Sequence, residues 1–306
     1  MMKTHIDFSR WRWHALMLSL TVILAGIVTI AAKGMTLGID FSGGTLLVVE
    51  FTNSAVTEEQ VRSAIASLPG EEVVQRYGRP DEHRFLIRLP LLESDSESES
   101  LDAAARRVAQ ALQTSDLPGS TVVDRQLVSA AIGDDLQRRG IYATLASIVG
   151  ITGYIAIRFR FSFAVGGIAA TLHDVLVTLA CLALAGYDLS LNVTAALLAI
   201  TGYSVNDTIV VFDRVRENLK PMRGQPLRDV VNASVNQTLS RTIITAGTTF
   251  LAALSLFLFG GESLRGFAFT MLVGIVSGTY STVFMASSIA TLLSTPRGRA
   301  PQPATV

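Results

Sequence analysis

The chain has 306 residues, 49% of them hydrophobic and only 16% charged, with Lys and Arg balanced by Asp and Glu to a formal net charge of zero and a mean hydropathy of +0.44. A composition this apolar excludes an ordinary soluble domain once the apolar residues fall into unbroken runs of about 18 or more, and here they do so repeatedly. The neutral balance gives no reason to expect a nucleic-acid partner, and the lack of a Cys/His cluster, a Walker loop or a dinucleotide fingerprint leaves no cofactor, metal or enzyme class to expect.

The first run is Trp13–Ala32. Its length exceeds the apolar core of a secretory signal and no small-residue cleavage site follows, so it is read as a membrane helix. The polar region after it, residues 33–138, reads as a small α+β domain. "GGTLLVVEF" (Gly43–Phe51) is a strand run and "HRFLIRLP" (His83–Pro90) alternates as a strand does. "VTEEQVRSAIASL" (Val56–Leu68) spaces Val61, Ile65 and Leu68 helically behind a Thr57-x-x-Gln60 capping box. A second helix, Leu101–Leu112, follows the acidic stretch "ESDSESES" (Glu93–Ser100), read as a solvated loop. The order β-α-β-β-α predicts a ferredoxin-like plait. Gly43 and Gly44, in the "DFSGG" turn, suit positive φ and mark a turn or hinge where the chain leaves the first span.

Five further runs follow at Ile141–Ile157, Phe163–Ala185, Leu191–Phe212, Thr242–Phe259 and Phe267–Leu293. The expected division is therefore 1–32, a terminal segment and first membrane helix; 33–138, an exported domain; 139–294, a five-helix membrane block; and 295–306, a tail. Lys3, Arg10, Arg12, Arg158, Arg160, Arg214, Arg216, Lys220, Arg223, Arg228, Arg297 and Arg299 all fall on one side. By the positive-inside tendency that side, with both termini, is cytoplasmic, although Arg138 and Arg139 run against it. Gly274, Gly278 and Thr282, like Ala195 and Ala199, recur every four residues and predict close helix approach.

Polar groups inside such runs are the candidates for function, because a charge near the bilayer centre costs about 2.5 to 3.5 kcal/mol on insertion scales. "ITGYSVNDTIVVFDRVREN" (Ile200–Asn218) buries Asn206 and Asp207 in an apolar stretch, with Tyr203 and Ser204 one turn above on the same face. Arg241 opens the fifth run at comparable depth, as either a partner of Asp207 or a snorkelling cation. His173 and Asp174, mid-way along the third run, are either functional or a structural hydrogen bond. Cys181 reads as a small buried hydrophobe.

"GIDFSGGT" (Gly38–Thr45), "GYSVNDTIVVFDRVREN" (Gly202–Asn218), "NQTLSRTIITAGTTFLAALSLFLFGG" (Asn236–Gly261), "LRGFAF" and "VGIVSGTYS" together resemble the SecD/SecF family of bacterial protein-export membrane proteins, over the whole chain. The resemblance implies resistance-nodulation-division architecture in the plasma membrane, with six membrane helices and a periplasmic domain between the first two. It implies a SecD subunit as partner in a twelve-helix unit, contact with the SecYEG translocon, YajC and SecA as further partners, membrane lipid around the helices and an unfolded secreted polypeptide as cargo. It implies that Asp207 and Arg241 belong to a proton pathway, with the proton as coupling ion. His173 and Asp174 are typical of the family too, and with Asn206 and Ser204 would give polar support. A small-molecule proton antiporter half of the same superfamily is the alternative, and the length argues against it. An intramembrane protease would need a second facing carboxylate, for which Asp174 alone is available, and a purely structural scaffold would leave Asp207 unexplained.

Overall fold

The computed structural model describes residues 6–294 apart from 53–55, 69–72, 78–81, 90–96, 116, 118 and 129. Six of its helices are long and apolar enough to cross a membrane. The membrane helices are α1 (Phe8–Lys33), α5 (Ala130–Arg158), α6 (Phe161–Ala185), α7 (Leu191–Asn218), α8 (Leu227–Phe259) and a last span built from α9 (Glu262–Ser281), a π-helical turn (Thr282–Ala286) and α10 (Ser287–Ser294). Between α1 and α5 lie a short α2 (Ile39–Ser42), β1 (Gly44–Phe51), α3 (Glu58–Ile65), β2 (Val73–Tyr77), β3 (Arg84–Leu89), α4 (Glu97–Thr114) and β4 (Ser120–Val128).

The four strands form one antiparallel sheet in the order β2-β3-β1-β4, which with its two helices is the split βαβ arrangement of a ferredoxin-like plait. Strand alternation makes the core. Phe85, Ile87 and Leu89 of β3 and Leu47, Val49 and Phe51 of β1 point to the helix side, where they meet Val61, Ile65, Val108 and Leu112, and Phe51 meets Phe85 edge-on at 5.5 Å. Their neighbours Arg84, Leu86 and Arg88 face the other way. The Thr57–Gln60 capping box is formed in both directions.

Three local readings are revised. The fourth strand, β4, was not anticipated, because "STVVDRQLV" carries Asp124, Arg125 and Gln126 in succession, exposed on both faces, and has no clean apolar alternation. The acidic stretch is not wholly a loop: 93–96 lie outside the described residues, and from Glu97 the chain is helical, since Glu in a first turn favours the helix dipole. The helix that carries the second span begins at Ala130, before 139, so Arg138 and Arg139 lie within it, with Arg139 paired to Asp135 one turn earlier.

The membrane block is held by close backbone approach. α7 and α9 run parallel in a ladder: a Cβ added at Gly274 would lie 2.4 Å from Ile200 and one at Gly278 3.0 Å from Ser204, while Thr208 and Thr282 share a hydrogen bond of 2.9 Å. The small-residue reading of span six therefore marks a true interface. Ala195 and Ala199 mark no contact within this chain, for both are exposed and the buried face of α7 runs through Val193, Ala196, Ile200 and Ser204. On the end away from the sheet, Arg158 pairs with Asp213 at 3.0 Å and Arg228 with Asp7 at 3.1 Å.

At the opposite end the domain is seated on the block. Leu37 and Leu189 form a parallel bridge, with Leu189 N–H donating to Thr36 O at 2.8 Å and Gly38 N–H to Leu189 O at 2.9 Å. Asp40 accepts from Leu191 N–H at 2.8 Å. Gly43 and Gly44 both have positive φ, 67° and 122°, the backbone region open to glycine, and Gly43 N–H closes α2 on Ile39 O.

Candidate functional site

Two polar centres lie on adjacent faces of α7, well inside its length. Ser204 and Asp207 stand about 20 and 24 Å from the N-terminal end of that helix at 1.5 Å per residue. Residues three apart on a helix differ by about 60° around its axis, so the single stripe read from the sequence divides: Ser204 faces α6 and α9, whereas Asp207 faces α8.

The first centre is Asp174 on α6, which is 1% exposed. Its Oδ2 accepts from Ser204 Oγ at 2.5 Å and from Ser281 Oγ at 2.7 Å, and its Oδ1 accepts from Ser277 Oγ at 2.7 Å. His173 Nδ1 stands 3.1 Å from the same Oδ1. One carboxylate thus joins three helices, with its lone pairs filled by hydroxyls from α7 and α9. The His173 ring stacks on Tyr280 at 6.2 Å, Tyr280 donates to Ala15 O and accepts from Ser19 at 3.2 Å, so α1 joins the same network. His173 Nε2 is buried with no partner among the described residues.

The second centre is Asp207. It is half-buried, its Oδ1 accepts from Thr242 Oγ1 of α8 at 2.9 Å, and its Oδ2 is buried with no partner among the described residues. Tyr203, one turn away, packs toward α8 as well, beside Ala246, Phe250 and Ala253. Arg241 is near enough to act on Asp207 through space, but its side chain is exposed, and the carboxylate takes its hydrogen bond from the next residue, Thr242. Asn206 is exposed as well, and with Gly202 on α7 and Arg241, Thr245 and Thr248 on α8 it makes a small and polar surface on the side of the block.

The structure thus separates the residues singled out from the sequence. Asp207 and Arg241 flank one exposed face, Asn206 shares that face, and Ser204, His173 and Asp174 belong to an enclosed network. Gly43 and Gly44 lie away from both, where the α+β domain is seated on the block. Sequence reasoning missed Ser277 and Ser281, although their four-residue spacing in span six was a readable signal of a polar stripe. Cys181 is half-buried in α6. Among the described residues no three His, Cys, Asp or Glu side chains converge as a metal site would need.

Chemically the two carboxylates differ in access. Asp174 is saturated and shut in, suited to holding helices together. Asp207 has one oxygen hydrogen-bonded and the other buried without a partner among the described residues, next to an exposed polar surface.

Residues 108–296 match the model of the protein export membrane protein SecD/SecF C-terminal family, and residues 28–55 that of the SecD/SecF GG motif. Curated relatives named protein translocase subunit SecF include one from Desulfurispirillum indicum, 38% identical, covering 92% of this chain and 90% of its own. One from Escherichia coli O157:H7 is 36% identical, covering 95% of this chain and 88% of its own. The crystal structure of SecDF from Thermus thermophilus superposes with a TM-score of 0.81 at 35% identity, covering 95% of this chain. SecDF in its super-membrane-facing form gives 0.68 at the same identity, covering 96% of this chain. This chain spans 39% of the length of each of those solved chains. With a family match over more than half its length and relatives of this identity across nearly all of it, the chain belongs to the SecD/SecF family of protein-export membrane proteins.

Proposed function

We propose that the chain is a non-enzymatic, multi-pass subunit of the bacterial Sec export machinery that works with a SecD partner to couple the proton-motive force to movement of secreted polypeptide. Its family supports the export role, since its curated relatives are named translocase subunits. The observation that carries the coupling is the half-satisfied Asp207 carboxylate, held by Thr242 and left with one unpartnered oxygen beside Arg241. Hydrocarbon offers no hydrogen bonds, so the exposed Asn206, Arg241, Thr245 and Thr248 call for a protein neighbour in the membrane, and the small residue Gly202 among them allows a helix to approach closely. We place a SecD subunit there; the SecDF chains, of which this chain spans 39% of the length, support SecD as the partner. SecYEG is the translocon served, with SecA and YajC as further partners, and the Arg-rich end of the block together with both termini is cytoplasmic.

In this reading the proton occupancy of Asp207 follows which side of the bundle is open to water, and each change alters its hold on α8 and Arg241. A unit charge crossing the membrane potential yields about 2.3 kcal/mol per 100 mV, enough to bias a two-state rearrangement but not to unfold a stable cargo domain. The output is a ratchet on a chain already unfolded.

The test is Asp207→Asn, which keeps an acceptor for Thr242 and removes the titratable proton. Export of a secreted reporter is expected to lose its gradient-dependent part, while export after collapse of the gradient, and assembly with SecD, stay as in the wild type. Gradient-dependent export at the wild-type rate would overturn the reading.

A further inference from the structure

We infer that Arg88 and Asp188 are a pair of positioning residues that locks the exported sheet onto the outer end of α7, so that displacement of the helix bearing Asp207 reaches the exported domain through this ion pair. Arg88 lies on β3, on the sheet face that carries no helices, and therefore points at the membrane block. Its Nη2 donates to Asp188 Oδ2 at 2.5 Å and its Nη1 to Leu37 O at 2.9 Å. The two side chains are 12% and 19% exposed. The planar guanidinium, with donors aimed in two directions, thus binds the α6–α7 connection and the α1–α2 connection at once.

Those connections are already one unit. The Leu37–Leu189 bridge joins them, Asp40 accepts from the first N–H of α7 at 2.8 Å, and Ser190 caps that helix by accepting from Val193 N–H at 3.2 Å. Gly38 lies so close to this strap that a Cβ would stand 3.0 Å from Ser190. The start of α7 is therefore fixed to the strap by a side-chain cap, a backbone bridge and the Asp40 carboxylate, and Arg88 fastens the sheet to the strap. Covalently the sheet joins the block at two places, through Gly43 and Gly44, both at positive φ, and from β4 into α5. A second contact, Tyr77 Oη to Ser263 Oγ, is long at 3.5 Å and reaches α9. The pair itself lines an open cleft of about 430 Å³ between the sheet and the block, with Gln75, Gln126 and Asn192 in the same lining.

The inference rests on the proton reading only for what moves α7. Its test is a distance. Spin labels are placed at Gln110→Cys on α4 and Ala195→Cys near the outer end of α7, both exposed, in the full chain with Cys181→Ala in lipid bilayers. The intact pair is expected to give one narrow distance distribution, Arg88→Ala a broad one, and the exchange Arg88→Asp with Asp188→Arg a narrow one again. Gradient-dependent export through the assembled SecD complex is expected to be lost in Arg88→Ala and regained in the exchange. Should Arg88→Ala fail to accumulate, Arg88→Gln takes its place. A distribution as narrow in Arg88→Ala as in the wild type overturns the lock, and so does a broadened one with gradient-dependent export intact. Asp207→Asn separates the two readings: if that variant exports normally while Arg88→Ala broadens and stalls, the proton site falls and the lock stands.

Discussion

Asp174→Ala is expected to lower the stability of the membrane block by about 2 to 4 kcal/mol, the largest loss of any polar substitution in the chain, because it strips the acceptor from several buried donors at once. Ser204, Ser277, Ser281 and His173 all meet that carboxylate. Each orphaned donor costs about 1 to 3 kcal/mol when it stays buried. The sum is reduced because serine hydroxyls in helices can turn back to carbonyls of the preceding turn, as Ser281 already does towards Gly278 O. Asp174→Asn keeps one acceptor oxygen and is expected to lose about half as much. Thermal unfolding of the purified chain in detergent reads both. A melting temperature for Asp174→Ala equal to that of the wild type would show that the serines do not depend on the carboxylate.

Gly166→Val is the second substitution with a large expected effect. A Cβ at Gly166 would stand 2.6 Å from the backbone oxygen of Ala286 and 3.2 Å from the nitrogen of Ala290. Backbone cannot turn aside as a side chain can, so α6 and the last span must separate; overpacking of this kind costs about 1 to 3 kcal/mol, and a branched side chain lies at the upper end. Gly150, with nothing within 4 Å of an added Cβ, is the control. Gly150→Ala is expected to leave the chain's melting unchanged or raise it slightly, since alanine favours the helix by about 1 kcal/mol. Equal melting of Gly166→Val and Gly150→Ala would refute the close contact.

How far the sequence carries depends on the kind of signal. The six spans, the capping box at Thr57 and the ladder of Gly274, Gly278 and Thr282 were legible because each rests on local length or periodicity. Strand β4 was not: its pairing with β1 is made across the whole domain, and its polar face hides the alternation. Asp207 was legible as a carboxylate within a span, but its partner was not, since Arg241 and Thr242 are neighbours and only the helix's rotation decides which of them faces α7. The same holds for Tyr203 and Ser204, adjacent in sequence yet turned to different helices. Arg88 drew no notice as one arginine of an ordinary strand, because its partner is a hundred residues away in a loop.

The π-helical turn at Thr282–Ala286, where Ser287 Oγ donates to Thr282 O at 3.0 Å, separates two jobs of the last span. Before it, Ser277 and Ser281 are phased to the carboxylate of α6 and the glycines to α7; after it, Ala290 and Ser294 are phased to the N-terminal end of α6, where Ser294 meets Ser162 at 2.6 Å. In an unbroken α-helix one rotation would set both contacts, and any drift at one end would reappear at the other. The wider turn lets the two ends be tuned independently, so the inner half of the span can change its fit to α6 without loosening the serines around Asp174.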